Sequence, residues 1–335
     1  METRRKERLD RGIRVRTNGI YAISSLKEMM YLLAPRLALI LGLLILPLLI
    51  PNPYWQRVVA IMSIFALLSL IFDFLAHYVG IVNLGGALFI GLGGYIAGIL
   101  NSYFGLPLFV TIPVATIGGA AISTLLLLPC LPMRGIYFAI VSLMYPLLFA
   151  KIIEALNIFG GTDGIPGLTT FGNIWIDQYL IIAVLLLTLF ALRRLVNEDF
   201  GLVLRGIKDN DQAVKASGIS ITRYKAQAVF IASAIGSFAG AYLTHLYGWV
   251  GISLFALDFS IFPIAATVLG GLGTLVGPVL GAFILIPLTE TMRAFGTLRI
   301  VFYSIILVGF IVFKPEGLMK YFERKYYQFE HWREV

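Results

Sequence analysis

Long apolar runs, each near the ~20 residues that cross a bilayer as a helix, repeat along this chain with short polar breaks between them. The pattern predicts spans over residues 32–50, 58–76, 81–100, 106–128, 136–156, 179–195, 226–245, 257–272, 277–292 and 298–313. The eighth and ninth lie in one Gly-rich stretch, 257–292, with Pro278 near its middle. That stretch reads either as two spans or as one span plus a re-entrant piece. A single long charged island interrupts the pattern at residues 200–220, where Arg205, Lys208, Asp209, Asp211 and Lys215 cannot rest unpaired in hydrocarbon. Within it, Leu204, Ile207 and Val214 recur at helical spacing, and Asp209 followed by Gln212 resembles a capping box. Gly218 supplies a C-terminal stop. The island is therefore expected to form two short amphipathic helices, kinked at Asp209–Asn210.

Composition agrees. Of 335 residues, 59% are hydrophobic and 13% charged, with mean hydropathy +0.89. Soluble domains carry about 25% charged residues, so the chain is expected to be an all-α polytopic membrane protein of about ten transmembrane helices. The net charge of +8 does not point to nucleic acid, because the basic residues crowd the N-terminus, the island and the C-terminus. Ten spans place 22 of the 26 Lys and Arg on the cytoplasmic side and leave Arg57, Lys151, Arg293 and Arg299 opposite. Nine spans would put Lys320, Arg324 and Lys325 outside, against the positive-inside tendency. The organisation expected is a basic cytoplasmic tail over 1–30, a transmembrane domain over 31–315 with a cytoplasmic loop over 198–222, and a cytoplasmic tail over 316–335. Both termini then face the cytoplasm across a plasma or inner cell membrane.

Several chemistries are missing from the sequence. There is no G-x-x-x-x-G-K-[ST] phosphate loop, no H-E-x-x-H and no G-x-S-x-G. One cysteine, Cys130, and three scattered histidines, His77, His245 and His331, give no disulfide framework and no metal cluster. No catalytic residue, cofactor or metal is expected, and ATP hydrolysis would have to occur on another chain. The polar pairs Asp73/His77 and Lys151/Glu154 share helix faces, and read as local pairing at span ends before path lining. Gly94/Gly98, Gly236/Gly240 and Gly273/Gly277/Gly281 read as small-residue ridges for helix packing. The segment GGTDGIPG, with Thr162 and Asp163, is turn chemistry in an outer loop, 157–177, and a candidate gate or contact.

Separate stretches together resemble one family: VGIVNLGGALFIGLGGYIAGIL (79–100), LPMRGIYFAIVSL (131–143), NIFGGTDGIPGL (157–168), the charged island, the Gly-rich run 232–282 and FKPEGL (313–318). They are similar, in order, to the branched-chain amino-acid ABC transporter permeases of the LivM type. The resemblance implies a translocation path for Leu, Ile and Val-like solutes, a second related permease of the LivH type, two cytoplasmic ABC ATPases and an external solute-binding protein. A permease for urea, another amide or another amino acid is the alternative within the same superfamily; a passive channel or a membrane-embedded enzyme is a different class. The resemblance makes the island an ATPase-coupling loop: Leu204, Arg205, Ile207, Lys208, Asp209, Asn210, Gln212, Ala213, Val214 and Gly218. Its E-A-A-x-x-x-G pattern departs here, with Gln212 for Glu and Val214 for the second Ala. Asn83, Gly85, Gly86, Thr162, Asp163, Gly270, Gly271 and Gly273 are the expected path or gate residues. Asn83 and Gly86 stand where relatives often carry Ser and His, which bears on solute selectivity.

Overall fold

The computed structural model describes residues 26–133, 135–296, 298–313 and 317–320; most of both expected tails and half of the 313–318 motif lie outside them. The chain divides into two compact units, residues 1–45 and 46–335. The described part of the first is most of helix α1 (Leu26–Leu49), with Leu37, Leu41 and Leu44 exposed. In the second, α2 (Pro53–Asp73) continues as a π-helical turn, Phe74–Val79, and is followed by α3 (Gly86–Phe104), α4 (Leu108–Leu127) and α5 (Ile136–Leu156). Then come β1 (Ile165–Pro166), α6 (Ile174–Asn197), the amphipathic α7 (Asp199–Ala216), α8 (Ile221–Tyr247) and β2 (Trp249–Val250). Helices α9 (Asp258–Gly270), α10 (Val276–Thr291) and α11 (Leu298–Phe313) complete it.

Among the described residues seven helices are long and apolar enough to cross a membrane: α2 with its π turn, α3, α4, α5, α6, α8 and α10 with its last turn. The other expected spans fall on shorter apolar helices, Leu37–Leu49 within α1, α9 and α11. The fold is thus a polytopic, all-helical membrane bundle.

Burial does not follow apolarity from helix to helix. Helix α2 is apolar on every side and is buried on every side from Met62 to Ile71, packed by α6, α8, α9 and α10. Helix α5 is equally apolar, yet most of it faces outward. In lipid the hydrophobic effect does not join helices, so close backbone approach decides which ones pack. Gly93 of α3 meets the Ser237 backbone of α8, while Gly236 and Gly240 of α8 meet Phe89 and the Ile90 carbonyl of α3; any side chain at these sites would overlap.

The expected span at 81–100 starts late. Residues 80–85 are not helical, and α3 begins at Gly86. Three side chains replace the missing helical acceptors there: Ser142 Oγ accepts from Leu84 N at 3.0 Å, Asn83 Oδ1 from Gly85 N at 2.9 Å and Ser260 Oγ from Ala87 N at 3.1 Å.

The break within 257–292 falls at Gly271–Leu275, and Pro278 sits in the first turn of α10. Helices α9 and α10 pack as an antiparallel hairpin because Gly270 meets the Gly277 carbonyl and Gly281 the Ala266 carbonyl. Gly273 does not belong to that ridge; it lies in the break with φ +82. Asp73, fully buried, holds the break: its Oδ1 accepts from Gly273 N at 2.6 Å and its Oδ2 from Leu275 N at 3.2 Å. Tyr78 donates to the Gly273 carbonyl at 2.9 Å, and the His77 ring fills the space where a Cβ on Gly273 would be. The Asp73/His77 pair is therefore a clamp between α2 and the hairpin. Lys151 and Glu154 form a local ion pair of 2.7 Å.

Removing the Asp73 carboxylate leaves two backbone N–H groups without acceptors, at about 1–3 kcal/mol each. Asp73→Ala should lower the temperature at which buried Cys130 becomes reactive to a thiol reagent in detergent, and Asp73→Asn, which keeps one acceptor, should fall between. Parental behaviour of Asp73→Ala would show that the break holds itself.

Candidate functional site

Helix α7 lies on the side of the bundle where the π turn ends, and it has the kink expected from sequence. Asn210 leaves helical geometry (φ −155, ψ 93) and divides α7 in two. Its own side chain caps the second half, Oδ1 accepting from Ala213 N at 3.1 Å, so the cap is Asn210 and not an Asp209–Gln212 box. The second half ends in a Schellman motif: Gly218 N donates to the Lys215 carbonyl at 3.0 Å and Ile219 N to the Val214 carbonyl at 3.4 Å. Gly218 has φ +79, which a β-branched residue strongly resists, although open space surrounds it.

The two halves face different surroundings. Leu204 and Ile207 are buried in the chain's own bundle, and Gly201 lies against the Val196 carbonyl. Arg205 sits 5.5 Å over the Tyr78 ring and donates to the Val196 carbonyl at 3.2 Å. The Lys208 stem packs on Gly80 at the end of the π turn. The first half is thus seated on α6 and the π turn, and its two large apolar residues are not available to another chain. The second half stands out: Gln212, Ala213, Lys215 and Gly218 are exposed, as are Asp209 and Asn210 at the kink, while Val214 is half-buried beside Gly206. A polar cleft of about 310 Å³ opens between the kink, residues 79–82 and the start of α5.

The expected gate residues do not form one site. Thr162 and Asp163 are exposed on the opposite side, in a loop whose β1 pairs with β2, Ile165 opposite Val250 and Pro166 opposite Trp249. Trp249 Nε1 donates to the Asp163 carbonyl at 3.0 Å and Leu168 N to that of Gly248 at 3.0 Å. Asn83 and Gly86 line a crevice of about 10 Å³, too small for a solute, and Gly85 is filled against the Ser142 carbonyl. Gly270, Gly271 and Gly273 belong to the hairpin and its break, about 20 Å of helix away from the start of α9.

A buried polar network on the opposite side had no clear mark in the sequence. His245 Nδ1 donates to the Thr169 carbonyl at 2.8 Å, so its Nε2 accepts from Thr111 Oγ1 at 2.7 Å. Asn101 exchanges hydrogen bonds with Thr169, its Nδ2 reaching Thr169 Oγ1 at 2.8 Å and its Oδ1 accepting from Thr169 N at 2.9 Å. This ties the 157–173 loop to α3, α4 and α8. A histidine and an asparagine inside otherwise apolar runs were the available signal.

Residues 54–313 match the family described as the branched-chain amino acid transport system / permease component. The chain belongs to this family. It is 30% identical over 280 residues to the high-affinity branched-chain amino acid transport system permease protein LivM of Salmonella typhimurium, covering 71% of this chain and 65% of that one. The probable branched-chain amino acid transport permease protein LivM of Methanocaldococcus jannaschii is 24% identical over 312 residues, with 77% and 90% covered. The probable LivH permease protein of the same organism is 24% identical over 256 residues, with 68% and 79% covered. The chain thus spans 65% of the length of the first of these relatives. No solved structure matches it.

The Gly218 geometry makes a direct prediction. Gly218→Val should cost on the order of 1–2 kcal/mol in left-handed backbone strain and speed amide hydrogen exchange at Gly218 and Ile219. Gly218→Asn should be milder. Equal exchange in all three proteins would show that the helix end does not depend on Gly218.

Proposed function

We propose that this chain is a membrane-spanning permease subunit of an ABC importer for branched-chain amino acids, driven by ATPases on separate chains. The observation that carries the reading is the family match over 54–313, which contains the whole amphipathic α7 between two spans. In the proposed assembly a LivH-type permease pairs with this chain, two ABC ATPases bind from the cytoplasm and a solute-binding protein delivers the amino acid from outside. The similarity to both LivM and LivH proteins supports a pair of related permeases. Ten crossings are proposed, with both termini cytoplasmic, α7 on the cytoplasmic face and the 157–173 loop outside.

In this reading the second half of α7 is the piece that docks in an ATPase groove. Gln212, Ala213 and Lys215 present the contact surface, Val214 backs it, and Arg205, Lys208, Leu204 and Ile207 fix the helix to the bundle. Asp209 and Asn210 form the joint between the docked and the seated halves. A rigid element held in this way transmits the closure of an ATPase pair to the spans it is packed on.

Two measurements test this reading. Cysteines placed one at a time by Asp163→Cys and Ser217→Cys, in a Cys130→Ser background, should react with a membrane-impermeant thiol reagent in intact cells at position 163 alone. Labelling at 217 would invert the proposed orientation. Ala213→Asp should weaken co-purification with the ATPases and uncouple uptake from ATP hydrolysis in reconstituted vesicles. It should leave solute binding to the external protein unchanged. A variant that assembles and transports like the parent would remove α7 from the coupling role.

A further inference from the structure

The segment between β2 and α9 does not stay at the bundle's edge. It descends along α3 over a stripe of glycines: a Cβ on Gly98 would meet Val250, one on Gly94 would meet Leu254, one on Gly91 the Phe255 ring, and one on Gly86 the Phe259 carbonyl at 3.0 Å. Residues 251–257 are not α-helical over this descent, apart from the 3-10 turn Ile252–Phe255. The α-helix resumes only at Asp258, and Phe259 stacks on Phe65 at 5.5 Å, near the middle of the 27-residue run Pro53–Val79. Helix α9 then runs beside α2, Thr267 Oγ1 donating to the Ser69 carbonyl at 3.1 Å, down to the Asp73 clamp. Its 13 residues cover about 20 Å of the ~30 Å hydrocarbon thickness. One crossing is thus part irregular and part helical, with its joint near mid-depth.

Asp258 stands at that joint, and it is exposed, as are Ser253 before it and Ile261 one turn after it. An acid in the first turn complements the helix dipole, but the dipole does not account for a carboxylate that faces away from its own chain at mid-depth. A charge there faces water or a polar partner and not lipid. Irregular backbone at this depth also occurs only in protein or beside a water-filled cavity.

We propose that Asp258, with Ser253, lines the aqueous passage and that its carboxylate contacts the α-ammonium group of a passing amino acid. This rests on the permease reading and deepens it, because an uncharged amide such as urea offers no such group. An exposed carboxylate guides a zwitterion and releases it.

The test uses the assembled, reconstituted importer. Asp258→Asn should lower leucine uptake roughly tenfold, the loss of one charge-assisted contact, while Asp258→Glu retains most of it. Separately, in a Cys130→Ser background, Asp258→Cys should react with a small hydrophilic thiosulfonate in the membrane. Leu187→Cys, on an exposed apolar face, and Ala266→Cys, in the core, should not. Parental uptake by Asp258→Asn, or labelling of Asp258→Cys no faster than of Leu187→Cys, overturns the proposal. If the parent complex carries no branched-chain amino acid, the permease reading fails on its own, and the labelling still decides whether position 258 meets water.

Discussion

A bilayer offers no hydrogen-bond partner to a bare N–H or C=O, so every place where helix stops inside it must be satisfied by the protein. The most consequential helix stop here is the Gly271–Leu275 turn between α9 and α10, where the N–H groups of Gly273 and Leu275 are taken up by the buried Asp73 carboxylate. That interaction closes the turn between the two short helices. It also fixes the hairpin to α2, the helix around which the second unit is packed. The interruption before α3 is handled in the same way by Asn83, Ser142 and Ser260. Ser260 belongs to α9, so the starts of α3 and α9 meet near mid-depth and support each other.

Contacts run without a gap from the α7 side to that meeting point. Arg205 and Lys208 of α7 rest on Tyr78 and Gly80, Tyr78 and Asp73 hold the break, and α9 leads from the break to Asp258. Contiguity of this kind is a route, and coupling further requires that the hairpin have two arrangements which both ends can bias. The exposed second half of α7 and the exposed joint at Asp258 are the two ends of that route.

The sequence made the apolar helices, the charged island, its kink and its terminal glycine legible, because apolar length, charge and a left-handed stop are local properties. Where the reading shifted, a tertiary contact had intervened. Ile81 does not open α3, since Ile81 N is taken by the Leu75 carbonyl of the π turn and Leu84 N by Ser142 of α5, 58 residues away in sequence. Leu204 and Ile207 showed helical spacing, but spacing alone does not say whether the apolar face is turned to the bundle or to another chain. Gly94 and Gly98 looked like a ridge for a helix, and they receive Leu254 and Val250 of an irregular segment instead. Asp258 lay at the edge of an expected span, an acid whose placement only the stacking of Phe259 on Phe65 makes clear. The hydrogen bonds of His245 likewise depend on a loop 76 residues away.

The central claim, that this chain carries solute only as part of an ATP-driven assembly, is tested most directly by leucine uptake into vesicles holding a known internal volume. With both permeases, the ATPases and the binding protein present, leucine should accumulate above its external concentration when ATP is supplied on the ATPase side, and not otherwise. Equilibration of leucine through vesicles holding this chain alone, without nucleotide, would contradict the account.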